Sequence, residues 1–157
     1  MVESSRKPLW APLIPPVTGW LASRPLPADS ERLVAAVAER YRELLPADVF
    51  EVQYEAGTLR LTVVGVAGHR RATLSGVAET VLRAPLPMSL RVRLFLENEA
   101  ASLQEFVSKV LARPWPAAGA APRVRVSGDL VSVWYGPSDE PSAVLRWRPF
   151  TRGELGI

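Results

Sequence analysis

The chain has 157 residues, 48% hydrophobic and 22% charged, which fits one globular domain with its own core. A domain of about 150 residues hides roughly 70% of the surface its unfolded chain exposes, so neither a metal nor a disulfide is needed to hold it together. Cysteine is absent and His69 is the one histidine, which excludes disulfide frameworks, thiolate metal sites, cysteine nucleophiles and any site that needs two imidazoles.

Seventeen arginines and two lysines against sixteen carboxylates leave a formal charge of +3. The sequence pI of about 9.8 overstates that excess. Without cysteine, and with three tyrosines, almost nothing titrates between about pH 7 and 10. The longest uncharged stretch, Pro8 to Ser23, carries four prolines and Gly19. It is too short and too broken for a spanning helix, which needs about 20 apolar residues with an internally paired backbone. Glu3 and the same prolines spoil a secretory signal, so a cytoplasmic protein is expected.

Residues 1–28 read as an extended arm, because six of the fifteen prolines fall there and each restricts its own φ and its predecessor. Leu9, Trp10, Leu13, Ile14, Val17, Trp20 and Leu21 are too apolar for a segment that stays solvated. Residues 29–157 form the domain. A helix is predicted after Asp29, a candidate N-cap, and should stop at Pro46, with Leu33, Val34, Val37, Tyr41, Leu44 and Leu45 as its inner stripe. Period two then takes over: Phe50, Val52 and Tyr54, a turn at Ala56-Gly57, and Leu59, Leu61 and Val63 describe a hairpin with one buried face.

Residues 66–72 read as a loop, and Thr73 opens a short helix to Ala84 that Pro85 and Pro87 end. Alternation over residues 89–96 predicts a strand, with Leu90, Val92, Leu94 and Leu96 on one side and Arg91, Arg93 and Phe95 on the other. Asn98 then caps a helix through Ala112. After a Pro/Ala linker over 114–122, a second hairpin runs from Arg123 to Val126 and from Leu130 to Tyr135 around Ser127-Gly128-Asp129, and a last strand covers Ala143 to Arg148.

The expectation is α+β: an antiparallel sheet of five or six strands with two longer helices and one shorter helix on its apolar face. A weak echo of helix plus hairpin relates residues 29–96 to 97–150. The element order is similar to that of small bacterial chaperone-like and adaptor domains, in which a helix, three strands, a helix and further strands make a dimerising sheet. That likeness is of fold alone, and no motif residue carries it.

Arg60, Arg91, Arg93, Arg123, Arg125, Arg146 and Arg148 all fall on outward strand positions, so a single sheet would carry a basic face with Phe95 and Trp134 as stacking platforms for a polyanion. Glu51, Glu55 and Glu97 lie on comparable positions and offset part of that charge. Tryptophans in the arm lie back across the chain's own core or insert into a partner or a second copy, and in the second case Trp10, Leu13, Ile14 and Trp20 are the contacting residues.

Catalytic signals are sparse. Glu97 and Glu99 at a strand-to-helix junction could face one cation, but the better account is that Glu99 complements the helix N-terminus and Glu97 ends a strand. His69 sits beside Arg70 and Arg71, which disfavour its protonation, with no carboxylate partner nearby in sequence. Asp139 and Glu140 lie between Pro137 and Pro141 in a solvated turn. No nucleophile elbow, dinucleotide or phosphate loop, or zinc-protease motif is present, and no cofactor or metal site is expected. The sequence therefore points to a non-enzymatic interaction or assembly protein that uses its arm and an exposed sheet face, joined to a protein partner or a second copy. Polyanion binding by the arginines is the alternative, and an enzyme of undefined reaction the third reading.

Overall fold

The computed structural model describes residues 28–55, 58–64, 70–72 and 81–157. Ala28–Leu44 form helix α1, which begins just before the expected Asp29 cap and ends short of Pro46. Strong helix formers dominate it, and Leu33, Val34, Val37, Ala38 and Tyr41 are buried along one side. β1 (Phe50–Glu55) and β2 (Thr58–Val63) are the predicted hairpin, antiparallel, with Phe50 opposite Val63 and Gln53 opposite Arg60. The Ala56-Gly57 turn lies outside the described residues, as does most of the expected Thr73–Ala84 helix, of which residues 81–83 are described and helical. Strand β3 (Arg70–Ala72) pairs with β2 where a loop was expected.

The main correction lies in the middle of the chain. Met88–Leu111 is one helix, α2, of 24 residues, in place of a strand over 89–96 and a helix capped at Asn98. Val92, Phe95, Leu96, Glu99, Ala100, Leu103 and Val107 are buried at helical spacing along its whole length. Alternation of Leu90, Val92, Leu94 and Leu96 mimics a strand locally. Yet Val92 is the one β-branched residue in that stretch, and leucine, arginine and glutamate favour helix.

β4 (Pro122–Ser127) and β5 (Leu130–Tyr135) form the second predicted hairpin, with Val124 opposite Val133 and Gly128 at φ +56° in its turn. β6 (Leu145–Arg146) and β7 (Phe150–Thr151) both pair with β5. The expected strand from Ala143 to Arg148 is thus shorter, and the gap before β7 contains Pro149, which has no N–H for the ladder. Arg152–Leu155 make a final helical turn, α3, closed by a capping box between Thr151 and Glu154.

The class is α+β, as expected, but the described strands form two antiparallel sheets, β1–β2–β3 and β4–β5–β6 with β7 also on β5. A single sheet would have needed residues 89–96 as a strand to join them, and those residues are helical. α1 packs on β1, β2 and α3, while α2 packs on β4. One apolar cluster runs through both halves, from Leu33 and Phe50 to Val131 and Phe150.

Candidate functional site

The outer face of the second sheet is where three of the seven singled-out arginines meet. Arg123 lies opposite Trp134, Arg125 opposite Ser132, and Arg146 opposite Trp134 on its other side. All three arginines are exposed, and Trp134 is buried among them at 3% exposure, with the Arg125 guanidinium 5.5 Å from its ring centre. Trp134 is therefore covered rather than presented as a stacking platform.

These side chains also hold a loop. Trp134 Nε1 donates to Pro137 O at 2.8 Å, Arg123 Nε to Gly136 O at 3.3 Å and Arg146 Nη2 to Glu140 O at 2.8 Å. Arg125 pairs with the Glu140 carboxylate. Gly136, at φ +139°, is required at the corner, because a Cβ there would meet Val144 N at 3.1 Å. Glu140 is thus an arginine partner and not part of a free solvated turn, and Asp139 accepts from Ser142 Oγ at 3.0 Å. The loop takes one hydrogen-bond contact from each of the three arginines, and the Glu140 carboxylate offsets part of the charge that a phosphate would meet.

The other four arginines are dispersed. Arg60 is exposed on the first sheet, across from Gln53. Arg91 and Arg93 belong to α2: Arg91 Nη1 donates to Leu82 O at 3.0 Å, and Arg93 pairs with Glu97 one turn on at 3.1 Å. Arg148 binds Glu43 of α1 through two nitrogens, at 2.8 and 3.0 Å. Those hydrogen bonds hold the Glu43 carboxyl below the ordinary value against a smaller opposing effect of burial, and they raise the Arg148 guanidinium. The expected continuous basic face is not formed. Phe95, expected on it, is fully buried.

Glu97 and Glu99 do not face one site, because residues two apart on a helix diverge. Glu99 is fully buried and accepts from the Tyr41 hydroxyl at 2.7 Å, which also overturns its expected place at a helix N-terminus. Among the described residues no group of three or more histidines, aspartates and glutamates could hold a metal ion.

A buried cation that the sequence reading passed over is the most connected polar group. Arg40 has 0% exposure. Its Nε donates to Arg148 O at 2.8 Å, its Nη2 donates to Pro149 O at 3.0 Å and pairs with Glu154 at 2.8 Å, and its Cζ lies 4.2 Å from the Phe150 ring centre. The signal was available. Arg40 falls three residues after Val37 on the side of α1 that carries the apolar stripe, where a charged residue needs a partner.

Two surface crevices complete the picture. One, of about 430 Å³, lies between α2 and the linker before β4, lined by Gln104, Ser108, Trp115, Ala117 and Pro122 among others. Its polar groups are engaged, as Gln104 donates to Ala120 O and Ser108 Oγ accepts from Trp115 N at 2.9 Å. The second, of about 360 Å³, sits where α1 ends and β1 begins, lined by Arg42, Leu45, Ala47, Phe50, Glu51, Val52 and Val64. The arm residues Trp10, Leu13, Ile14 and Trp20, and also His69, lie outside the described residues. No family model matches the chain, and neither a curated protein nor a solved structure matches it. No described helix is long and apolar enough to cross a membrane.

Proposed function

We propose that the protein is a non-enzymatic adaptor or assembly protein that engages a protein partner through its N-terminal arm and the exposed face of its first sheet, with self-assembly as the simplest form. The observation that carries this reading is the crevice between α1 and β1. Leu45, Phe50, Val52 and Val64 line it, Val64 is 49% exposed, and the charged groups lining it are Arg42 and Glu51. A recess of that composition suits an apolar side chain of another segment and offers no nucleophile. The exposed row of Glu51, Gln53 and Arg60 beside it is mixed in charge, as the rim of a protein interface is. Apolar arm residues, Trp10 and Trp20 above all, supply groups of the type enriched in interface hot spots.

Polyanion binding is the second reading, favoured by the convergence of Arg123, Arg125 and Arg146 on one face. Its cost is that the same three side chains bind the loop from Gly136 to Glu140. The test uses the full chain and a variant with Trp10→Ser, Leu13→Ser and Ile14→Ser. The variant should keep the circular dichroism spectrum and lose the larger species in light scattering and the partner in a pull-down. Unchanged behaviour in both overturns the interaction reading, while retention on single-stranded nucleic acid that falls steeply with salt supports the second one.

A further inference from the structure

We propose that the outer face of the second sheet is a docking site for an acidic segment of a partner protein, and that the loop from Gly136 to Glu140 is the chain's own occupant of that site, which such a segment displaces. The face lies apart from the arm and the first sheet, so the site goes beyond the interaction reading above and does not depend on it.

The direction of the contacts defines the site. Arg123, Trp134 and Arg146 sit side by side across β4, β5 and β6, and Arg125 follows two residues along β4. Every hydrogen bond between these four side chains and the loop runs from a donor on the sheet to an acceptor on the loop. Trp134 Nε1 donates to Pro137 O, Arg123 Nε to Gly136 O, Arg146 Nη2 to Glu140 O and Arg125 Nη2 to the Glu140 carboxylate. A receptor holds an acidic peptide in the same way, by its carbonyls and a carboxylate. The loop's other acid is turned to its own chain, since Asp139 accepts from Ser142 through its carboxylate at 3.0 Å and its carbonyl at 3.1 Å.

The hold is exchangeable. Arg125 is 51% exposed, and an exposed ion pair adds little to stability, so a competing carboxylate meets a low threshold. Each arginine gives the loop one contact, whereas a guanidinium carries five N–H donors, and all three side chains are exposed. Pro137, Ser138 and Asp139 are exposed as well, so the loop covers the site without being buried itself.

Chemistry selects a carboxylate-bearing peptide over a nucleic acid. The anionic group that the chain itself places against these three guanidinium groups is a carboxylate, Glu140, which leaves the face with an excess of positive charge. Trp134 is 3% exposed with the Arg125 guanidinium 5.5 Å from its ring centre, so it presents no open ring on which a base would stack.

The probe is a fluorescein-labelled hexaglutamate peptide, titrated with the full-length protein at low salt and followed by fluorescence anisotropy. The wild type should bind it, and less tightly as salt rises. Glu140→Gln removes the charge of the internal competitor and should tighten binding about threefold, the scale of an exposed ion pair. Arg123→Gln with Arg146→Gln should weaken binding about tenfold, whereas Arg32→Gln with Arg60→Gln, equal in charge but on α1 and β2, should change it less than about twofold. Urea unfolding checks the fold of each variant, and the Glu140→Gln result stands whether or not the arginine pair folds. No binding by either the wild type or Glu140→Gln, unchanged or weaker binding by Glu140→Gln, or equal losses in the two arginine pairs would overturn the proposal. Tighter binding of a six-nucleotide single strand than of hexaglutamate would overturn it in favour of the polyanion reading. The Trp10→Ser, Leu13→Ser, Ile14→Ser variant should bind the peptide as the wild type does, so a failure of assembly through the arm and a failure of this site are read separately.

Discussion

Arg40 shows what a single residue contributes here. A guanidinium at zero exposure is costly unless its donors are met, and Arg40 uses Nε and Nη2 on two backbone carbonyls and the Glu154 carboxylate and lays its plane near the Phe150 ring, while Nη1 has no hydrogen-bond partner among the described residues and lies 3.8 Å from Glu39. Because Glu154 also closes the capping box on Thr151, one salt bridge ties the last turn of the chain to the first helix. Arg40→Ala should cost about 1–3 kcal/mol in urea unfolding, because it leaves the carbonyls of Arg148 and Pro149 without their donor while Glu154, at 26% exposure, can still reach water. The surface pair of Glu43 and Arg148 behaves differently. The folded state binds the Glu43 proton less tightly than the unfolded chain does, so the pair's contribution is complete above the ordinary glutamate range and is lost as the pH falls through the lowered value. The stability difference between the wild type and Glu43→Gln, followed by thermal unfolding, should therefore shrink on acidification below about pH 4.3 and stay constant above neutrality. Neither pairing was legible in the sequence, since Arg40 and Glu154 are 114 residues apart and only tertiary packing brings them together.

At the scale of elements, both hairpins and the first helix could be read directly. Their signals are local: period-two alternation around glycine turns, and an apolar stripe before Pro46. α2 could not be read, for reasons that are also local. It begins after Pro87 with no side-chain cap and no acid in its first turn, and Arg91 stands where the helix dipole favours a carboxylate. The usual marks of a helix start are missing where leucines happen to alternate. Phe95 separates the two descriptions sharply. On a strand it would face outward and its loss would cost little; on α2 it is fully buried, so Phe95→Ala should destabilise the fold by about 3–5 kcal/mol in denaturant titration. The change of element also dissolved the expected basic face, because Arg91 and Arg93 left the sheet with it. What remains on the second sheet is a smaller device, three arginines and a tryptophan that fix the loop from Gly136 to Glu140.

At the scale of the molecule, two helix-and-hairpin units share one core, and the last eleven residues close it with Trp147, Phe150 and Leu155, all fully or nearly buried. The α+β class followed from counting elements, whereas the division into two sheets depended on the one element that was misread. The candidate site divides in the same way. The apolar arm is visible in composition alone, but the crevice assembles Phe50 and Val52 of β1 with Leu45 just past α1 and Val64 just past β2, and has no linear signature. The claim that the arm makes this an assembly protein is tested most directly by light scattering on the full chain and on the Trp10→Ser, Leu13→Ser, Ile14→Ser variant at matched concentrations. The account predicts a mass above 17.2 kDa for the full chain and a return to 17.2 kDa, with the fold intact, for the variant. The same mass for both proteins would contradict it.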